Sequence, residues 1–316
     1  MPSISLVVCV HGELEMLRRL LKESAGLYDD LVVVHDGTAD DSAKESQPPA
    51  QPPAIDYAHL SPDAPLPDGY RVASPSPRPG SIHELVSLHD GRYFEGPRCH
   101  QQEPHWPFAW SQARYDWILR LDADEFPSPP LKSWLLAFRN VPPSPEEISG
   151  YTCIWPLWNG QKVVMGRWPA GRNFLFHRGR VRFFGMAEQV PVPDGQWQSV
   201  DLQLNHRPAR KSYGLANILT RTQGHFWRSV ISDSLLKQPT ELPRWRWQSS
   251  EWPATWRRIR EQSIPVGLFF LLRATLSTLR AQWRAEGKLM PLMALATPLH
   301  HFLITLQVRR KRRRRV

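Results

Sequence analysis

Apolar residues run unbroken from Ile4 to Val10, the pattern of a strand buried on both faces. Leu14, Leu17, Leu20 and Leu21 then recur at helical spacing within residues 13–25, and Gly26 is placed to stop that helix. Residues 31–34 read as a second buried strand, ending at His35-Asp36-Gly37. Strand, helix, strand at the start of the chain predicts a βαβ unit and a parallel sheet. Residues 107–115 predict a helix leading into a strand at 117–121, and residues 131–138 predict another helix. Residues 83–88 fit a short helix or a short strand equally well. Strand-like pieces follow at 151–158, 173–177, 181–184 and 200–205, and residues 213–231 read as a helix. The Pro-rich stretch 47–53 reads as an exposed loop.

Beyond about residue 240 the pattern changes. Trp245, Trp247, Trp252 and Trp256 are interleaved with Arg and Pro. Residues 266–279 form a mostly apolar helical stretch carrying Arg273. Residues 289–308 are apolar except for Thr297, His300, His301, Thr305 and Gln307, with Pro291 and Pro298 inside. That length permits a membrane span, but the prolines and paired histidines favour an interfacial or re-entrant helix. The expected organisation is a catalytic domain over 1–235 and a Trp- and Arg-rich, amphipathic helical extension over 236–316.

Charge sharpens this reading. Net charge is +10, and the unbroken basic run Arg309–Arg315 supplies seven of those charges, leaving +3 for the remainder. A tail of this kind binds anionic surfaces, either nucleic acid or lipid headgroups, and its place beside the apolar stretch 289–308 favours an anionic membrane. Cys9, Cys99 and Cys153 are scattered, giving neither a disulfide framework nor a zinc spacing, which fits a reducing cytoplasm. The chain leads straight into a strand with no visible signal peptide. The expected location is the cytoplasmic side of a membrane, peripheral or monotopic.

The chemistry concentrates in Asp116-Trp-Ile-Leu-Arg-Leu-Asp122-Ala-Asp124-Glu125-Phe126. An apolar strand ends in three carboxylates within four residues. Such a cluster repels itself unless a cation or electropositive ligand sits against it. Strands that carry acids at their C-terminal ends are where α/β sheets build ligand sites. Asp122-Ala-Asp124 alone also fits a solvated turn.

In sequence order, four segments resemble the family-2-type inverting glycosyltransferases, which have a GT-A nucleotide-diphospho-sugar transferase fold. Residues 4–13 look like that family's opening strand and loop. Residues 32–40, Val-Val-Val-His-Asp-Gly-Thr-Ala-Asp, look like its acidic turn, and residues 116–125 like its metal-binding segment. Residues 173–188, together with Asn205-His206, Tyr213 and Arg221, resemble the lipopolysaccharide-core β-glucosyltransferase branch. The likeness covers roughly residues 3–230, with low similarity over 45–105. It implies an α/β fold with a mixed sheet flanked by helices. It also implies transfer of a sugar from a nucleotide-diphospho-sugar, a UDP-sugar first, to a saccharide or glycolipid acceptor of the cell envelope.

The resemblance assigns roles residue by residue. Asp124 and His206 would hold Mg²⁺ or Mn²⁺, with Asp122 reaching the ion through water or contacting the donor ribose, and the ion would offset the charge on the departing diphosphate. Asp36 would meet the nucleobase, and Val10, His11 and Glu13 would line the donor site. Arg207, Lys211 and Arg221 would contact the diphosphate, the arginines in a forked geometry. Glu188 is the candidate general base. Glu125 is its rival, although its place beside Asp124 fits support. Each has a plainer reading: Asp36 as a turn residue before Gly37, Asp40 as a helix cap, His206 as a packed histidine, Lys211 as an exposed helix charge.

There are departures from the family pattern. His35 replaces the first Asp of the turn, His11-Gly12 replaces a Tyr-Asn pair, and Ala187 stands where the branch has His. Trp106-Pro107 occupies the place of an Arg-Asn pair. Two other functions compete with the transferase. A nucleotidyltransferase would need a Gly-rich, Lys-bearing loop, and residues 8–13 hold only Gly12. A basic, Trp-rich nucleic-acid binder would draw on the 14 Trp and the Arg tail. The Trp residues fall in Pro-containing segments and no RNA-binding motif is visible, so no nucleic-acid partner is expected.

Overall fold

The computed structural model describes residues 3–37, 63, 65–74, 76–99, 102–140, 143–144, 147–168, 171–183, 191–208, 258–259 and 261–313. The chain divides into two compact units, Met1–Trp155 with Gly171–Arg207, and Pro156–Ala170 with Pro208–Val316.

The first unit is a mixed α/β body. Its strands are β1 (Ile4–Val10), β2 (Asp30–Asp36), β3 (Arg71–Val72), β4 (Arg92–Gly96), β5 (Trp117–Arg120), β6 (Glu125–Pro127) and β7 (Ile148–Ile154). After β8 (Leu157–Trp158) and β9 (Val163–Met165), which pair in the second unit, come β10 (Arg172–His177), β11 (Val181–Arg182), β12 (Val192–Pro193) and β13 (Gln196–His206). Nine strands form one sheet in the order β3-β4-β2-β1-β5-β10-β7-β13-β6. β4, β2, β1 and β5 are mutually parallel, and β10 turns the sheet antiparallel.

Alternation along β1 explains the two cores. Ile4, Leu6, Val8 and Val10 face one side, where they meet Leu17, Leu20 and Leu21 of α1 (Leu14–Glu23) and Leu85 and Val86 of α2 (Ile82–Ser87). Val7 and Cys9 face the other side, against Trp106, Phe108 and Trp110 of α3 (Trp106–Ser111). α4 (Pro129–Asn140) adds Leu131, Leu135 and Phe138 to the first core. The expected βαβ unit is present, and the undecided stretch 83–88 is helical.

Several expected boundaries move for local reasons. α3 stops at Ser111 rather than at 115, because the next amides serve the sheet. Arg114 N–H donates to Asp30 Oδ2 at 2.9 Å, and Tyr115 N–H to Ser5 Oγ at 3.1 Å. The piece 151–158 splits at Trp155-Pro156, where proline offers no amide to a ladder. β13 begins at Gln196, four residues before the expected start, because its first half alternates polar residues that carry no apolar signal. The expected strand 181–184 is reduced to Val181–Arg182, and the expected helix 213–231 lies outside the described residues.

In the second unit, α5 (Ile264–Glu286) and α6 (Pro291–Arg313) pack together. Ser263 caps α5 by accepting from Val266 N–H, and Gly287 ends it at φ +64°, a left-handed turn that glycine adopts without Cβ strain. Pro291 opens α6 and Pro298 sits inside it without ending it, so the stretch expected as an interfacial or re-entrant helix is one continuous helix from Pro291. Among the described residues, α5 rather than the 289–308 stretch is the helix long and apolar enough to cross a membrane.

Candidate active site

Asp36 ends β2, Val10 ends β1 and Arg120 ends β5, so three neighbouring parallel strands present their C-terminal ends along one edge. Ligand crevices of open α/β sheets form at such edges. Cys9 and Val34 lie on the α3 side of the sheet, and Asp36 and Arg120 follow the same alternation. Arg120 places its guanidinium 5.5 Å above the Trp106 ring on that side. His35 takes the opposite side and stacks on Tyr93.

Asp36 is buried, and its Oδ1 accepts from the Cys99 N–H and from His105 Nε2 at 2.9 Å. His11 Nδ1 lies 3.3 Å from Asp36 Oδ2. Burial works against the charge on Asp36. The hydrogen bonds from His105, His11 and Cys99 outweigh it and hold the carboxyl well below the usual range. His105 is oriented in turn by the Tyr70 hydroxyl, 3.1 Å from its Nδ1. Glu13 folds back to accept from the His11 N–H at 2.6 Å, fixing the loop after β1.

The acid segment follows β5. Asp122 accepts from Arg172 at 2.7 Å, and its backbone N–H donates to Glu125 Oε2 at 2.9 Å. Glu125 is wholly buried and also accepts from the Trp155 indole at 3.0 Å and from Arg172 at 2.8 Å. Burial raises the Glu125 carboxyl and Arg172 opposes that rise. With a backbone amide, an indole and a guanidinium all donating to it, Glu125 is a structural anion whose oxygens are already engaged.

β13 brings His206 to the same place. It pairs antiparallel with β6, setting His206 opposite Glu125, and the Arg207 N–H closes the loop on the Asp124 carbonyl at 2.8 Å. His206 Nε2 lies 3.2 Å from Asp124 Oδ2, and its ring stacks on Trp155 at 4.3 Å. The Arg207 guanidinium lies over the Phe126 ring. Of the residues expected at a metal, Asp124 and His206 stand together, while Asp122 is turned toward Arg172. Glu188 and Arg221, and also Asp40, Lys211 and Tyr213, lie outside the described residues.

The donor set fits a hard divalent cation. Asp122 Oδ1 and His206 Nδ1 are buried without a hydrogen-bond partner, and Asp124 is partly exposed. Two carboxylates and an imidazole suit Mg²⁺ or Mn²⁺. Asp36, Cys99 and His105 also bring three ligand atoms within 4.8 Å of one another. There, however, His105 already hydrogen-bonds Asp36, and burial raises the Cys99 thiol far from its metal-binding form.

Sequence reasoning passed over Arg172, Trp155, His105 and Arg120. Arg172 and Trp155 sit just outside apolar runs, so nothing local marks them. Arg120 does carry a signal, as the lone charge within Trp117–Leu121. Cys9, Cys99 and Cys153 are all buried free thiols, each raised by burial.

No protein-family model and no curated protein matches the chain. Among solved structures, a mannosyltransferase from Pyrobaculum calidifontis in complex with GDP-Man and Mn²⁺ is 11% identical. That match covers 96% of this chain and 86% of the other, at a TM-score of 0.42. TarS from S. aureus (1–349) is 13% identical over 94% of this chain and 90% of its own, at a TM-score of 0.33. At these values the likeness carries no inference about chemistry, which rests on the residues above.

Proposed function

We propose that the protein is a metal-dependent inverting glycosyltransferase that takes a sugar from a nucleotide-diphospho-sugar. The observation that carries this reading is the shared edge. A buried, ionised Asp36 ends β2, and Asp122, Asp124 and His206 gather beyond the adjoining strands. The first suits recognition of a base edge by hydrogen bonding. The second suits a divalent cation, which when bound would neutralise charge on the diphosphate leaving group.

The chain's own residues do the rest. Arg172 holds Asp122 and Glu125 together before ligand arrives and keeps the acids from repelling one another. Glu125 anchors the turn through the Asp122 amide. Glu188 is the proposed base that takes the acceptor hydroxyl proton, and Arg207 and Arg221 are proposed diphosphate contacts. The acceptor is proposed to be a saccharide or glycolipid of the envelope. Purified protein with UDP-, GDP-, ADP- and dTDP-sugars and Mn²⁺, with and without EDTA, tests the reading by nucleotide release. It fails if no donor is bound or turned over and Asp124→Ala changes nothing.

The enzyme is further proposed to work on an anionic membrane surface. Phe269, Leu272, Leu276 and Trp283 recur at helical spacing on α5 and are all more than half exposed. The basic run begins within α6 at Arg309. An exposed apolar stripe in a unit that ends in consecutive cations suits anionic headgroups. Flotation with anionic liposomes, compared with neutral ones, is the direct check.

A further inference from the structure

Arg120 is hard to account for as a packing residue. It is 7% exposed, it ends a strand whose other members are apolar, and its Nε is buried without a hydrogen-bond partner. Among the described residues no carboxylate comes within ion-pair distance of it. The nearby Arg172 engages an acid at 2.7 Å, and Arg92 and Arg178, elsewhere on the sheet, do so at 2.9 Å each. The contact Arg120 does make is with the face of Trp106. An unpaired buried cation is costly, and an apolar side chain of the same length would pack there without that cost. Burial lowers its pKa to about 10, so it remains charged at neutral pH.

Its position names the missing partner. Arg120 lies on the α3 side with Asp36, in register with Val7 and Val32 and so four residues short of Asp36 along the strands, and it precedes Asp122 by two residues. A ligand reaching from Asp36 to the acid segment crosses β1 near Cys9, which lies in the fields of Asp36, Asp122 and Arg120 alike, with the Arg120 side chain beneath it on the same side of the sheet. We infer that Arg120 is an anion-binding residue of the cleft floor, built to take a phosphate oxygen of the diphosphate in a bound nucleotide. A guanidinium fork matches such oxygens, and the low exposure of Arg120 against the Trp106 ring strengthens a charge-assisted bond there. This inference rests on the transferase reading for its ligand, but the unpaired cation stands on the geometry alone.

The test titrates wild type and Arg120→Met with inorganic pyrophosphate, with UDP, GDP, ADP and dTDP, and with the matching nucleosides. Affinity for pyrophosphate and for the preferred nucleoside diphosphate should fall about 10- to 100-fold in the variant, the loss of one charge-assisted hydrogen bond. Nucleoside affinity should be unchanged. Urea unfolding should find the variant at least as stable as wild type. Equal pyrophosphate affinity in both proteins overturns the inference. So does a loss that extends equally to nucleosides, or a marked loss of stability, either of which would make Arg120 structural. If Arg120→Met does not fold, Arg120→Gln replaces it with the same readings. Nucleoside diphosphate binding that ignores Arg120 sinks this inference and leaves the transferase. Pyrophosphate binding through Arg120 with no nucleotide bound sinks the transferase and leaves the anion site. Wild type that binds neither sinks both.

Discussion

Replacing Arg172 with Met would leave the buried Glu125 as an uncompensated charge. Arg172 reaches Asp122 at 2.7 Å and Glu125 at 2.8 Å, and Glu125 is 0% exposed. Removing one partner of a buried pair costs about 3–5 kcal/mol. Arg172 is itself 21% exposed, so water can enter the space it leaves, and the lower end, about 3 kcal/mol, applies. For a domain of roughly 150–250 residues that lowers Tm by about 6–12 °C. Pairing the change with Glu125→Gln should recover about 2 kcal/mol of the loss, because the stranded charge is gone. The pH dependence has a fixed sign. Without Arg172 the folded Glu125 pKa rises further above its unfolded value, near ~4.3. The folded state then binds the extra proton, so the deficit shrinks as pH falls toward that value and grows as pH rises through the folded pKa. Urea unfolding of the four proteins at pH 7 and pH 5 measures all of this. A loss under about 1 kcal/mol, or single effects that simply add, would refute Arg172 as the counterion of a buried acid.

Asp36→Asn should flatten acid unfolding. The depressed Asp36 pKa contributes stability above the usual carboxylate range that is lost as pH falls through it, so wild type should weaken more steeply between about pH 5 and 3. Gly150→Ala should destabilise by about 1–3 kcal/mol in thermal unfolding, the cost of overpacking. Its Cβ would stand 2.1 Å from the Trp197 ring and 2.7 Å from Phe176 Cβ. Glu188→Gln should keep donor binding and lower turnover about 10²- to 10⁴-fold in nucleotide-release assays. Replacing Phe269, Leu272 and Leu276 together with Ser should cut flotation on anionic liposomes at least several-fold, since each loses about 1.5–3 kcal/mol of burial.

β1, β2 and β5 were legible because they are buried on both faces and read as apolar runs, whereas β4, Arg-Tyr-Phe-Glu-Gly, is half polar and was not read as a strand. β13 was half hidden, since its first half, paired parallel with β7, leaves Gln196, Gln198 and Ser199 exposed and so carries no apolar run. The acid segment was visible as local clustering, but its support was not. Arg172 lies 47 residues beyond Glu125, and Trp155 lies 30 beyond it. Only the β5-β10-β7 neighbourhood brings them together. The partner of Asp36 was similarly masked: His105 stands just ahead of a Trp-rich helix and reads as packing. Arg120 was in view, yet a charge inside a strand looks like noise until it is known that the acids around it, Asp122, Glu125 and Glu103, all stop short of ion-pair distance.

The three free thiols turn the site into its own clock. Cys9 lies on the sheet side shared with Arg120, Cys99 donates its amide to Asp36, and Cys153 lies near Glu125. A thiol reagent attacks only thiolate that solvent can reach, and none of the three offers any in the closed fold. Each labelling rate therefore times one local opening, at the base end, the floor and the acid end of the cleft. A ligand that spans the cleft would slow all three together, and one that occupies only part of it would separate them.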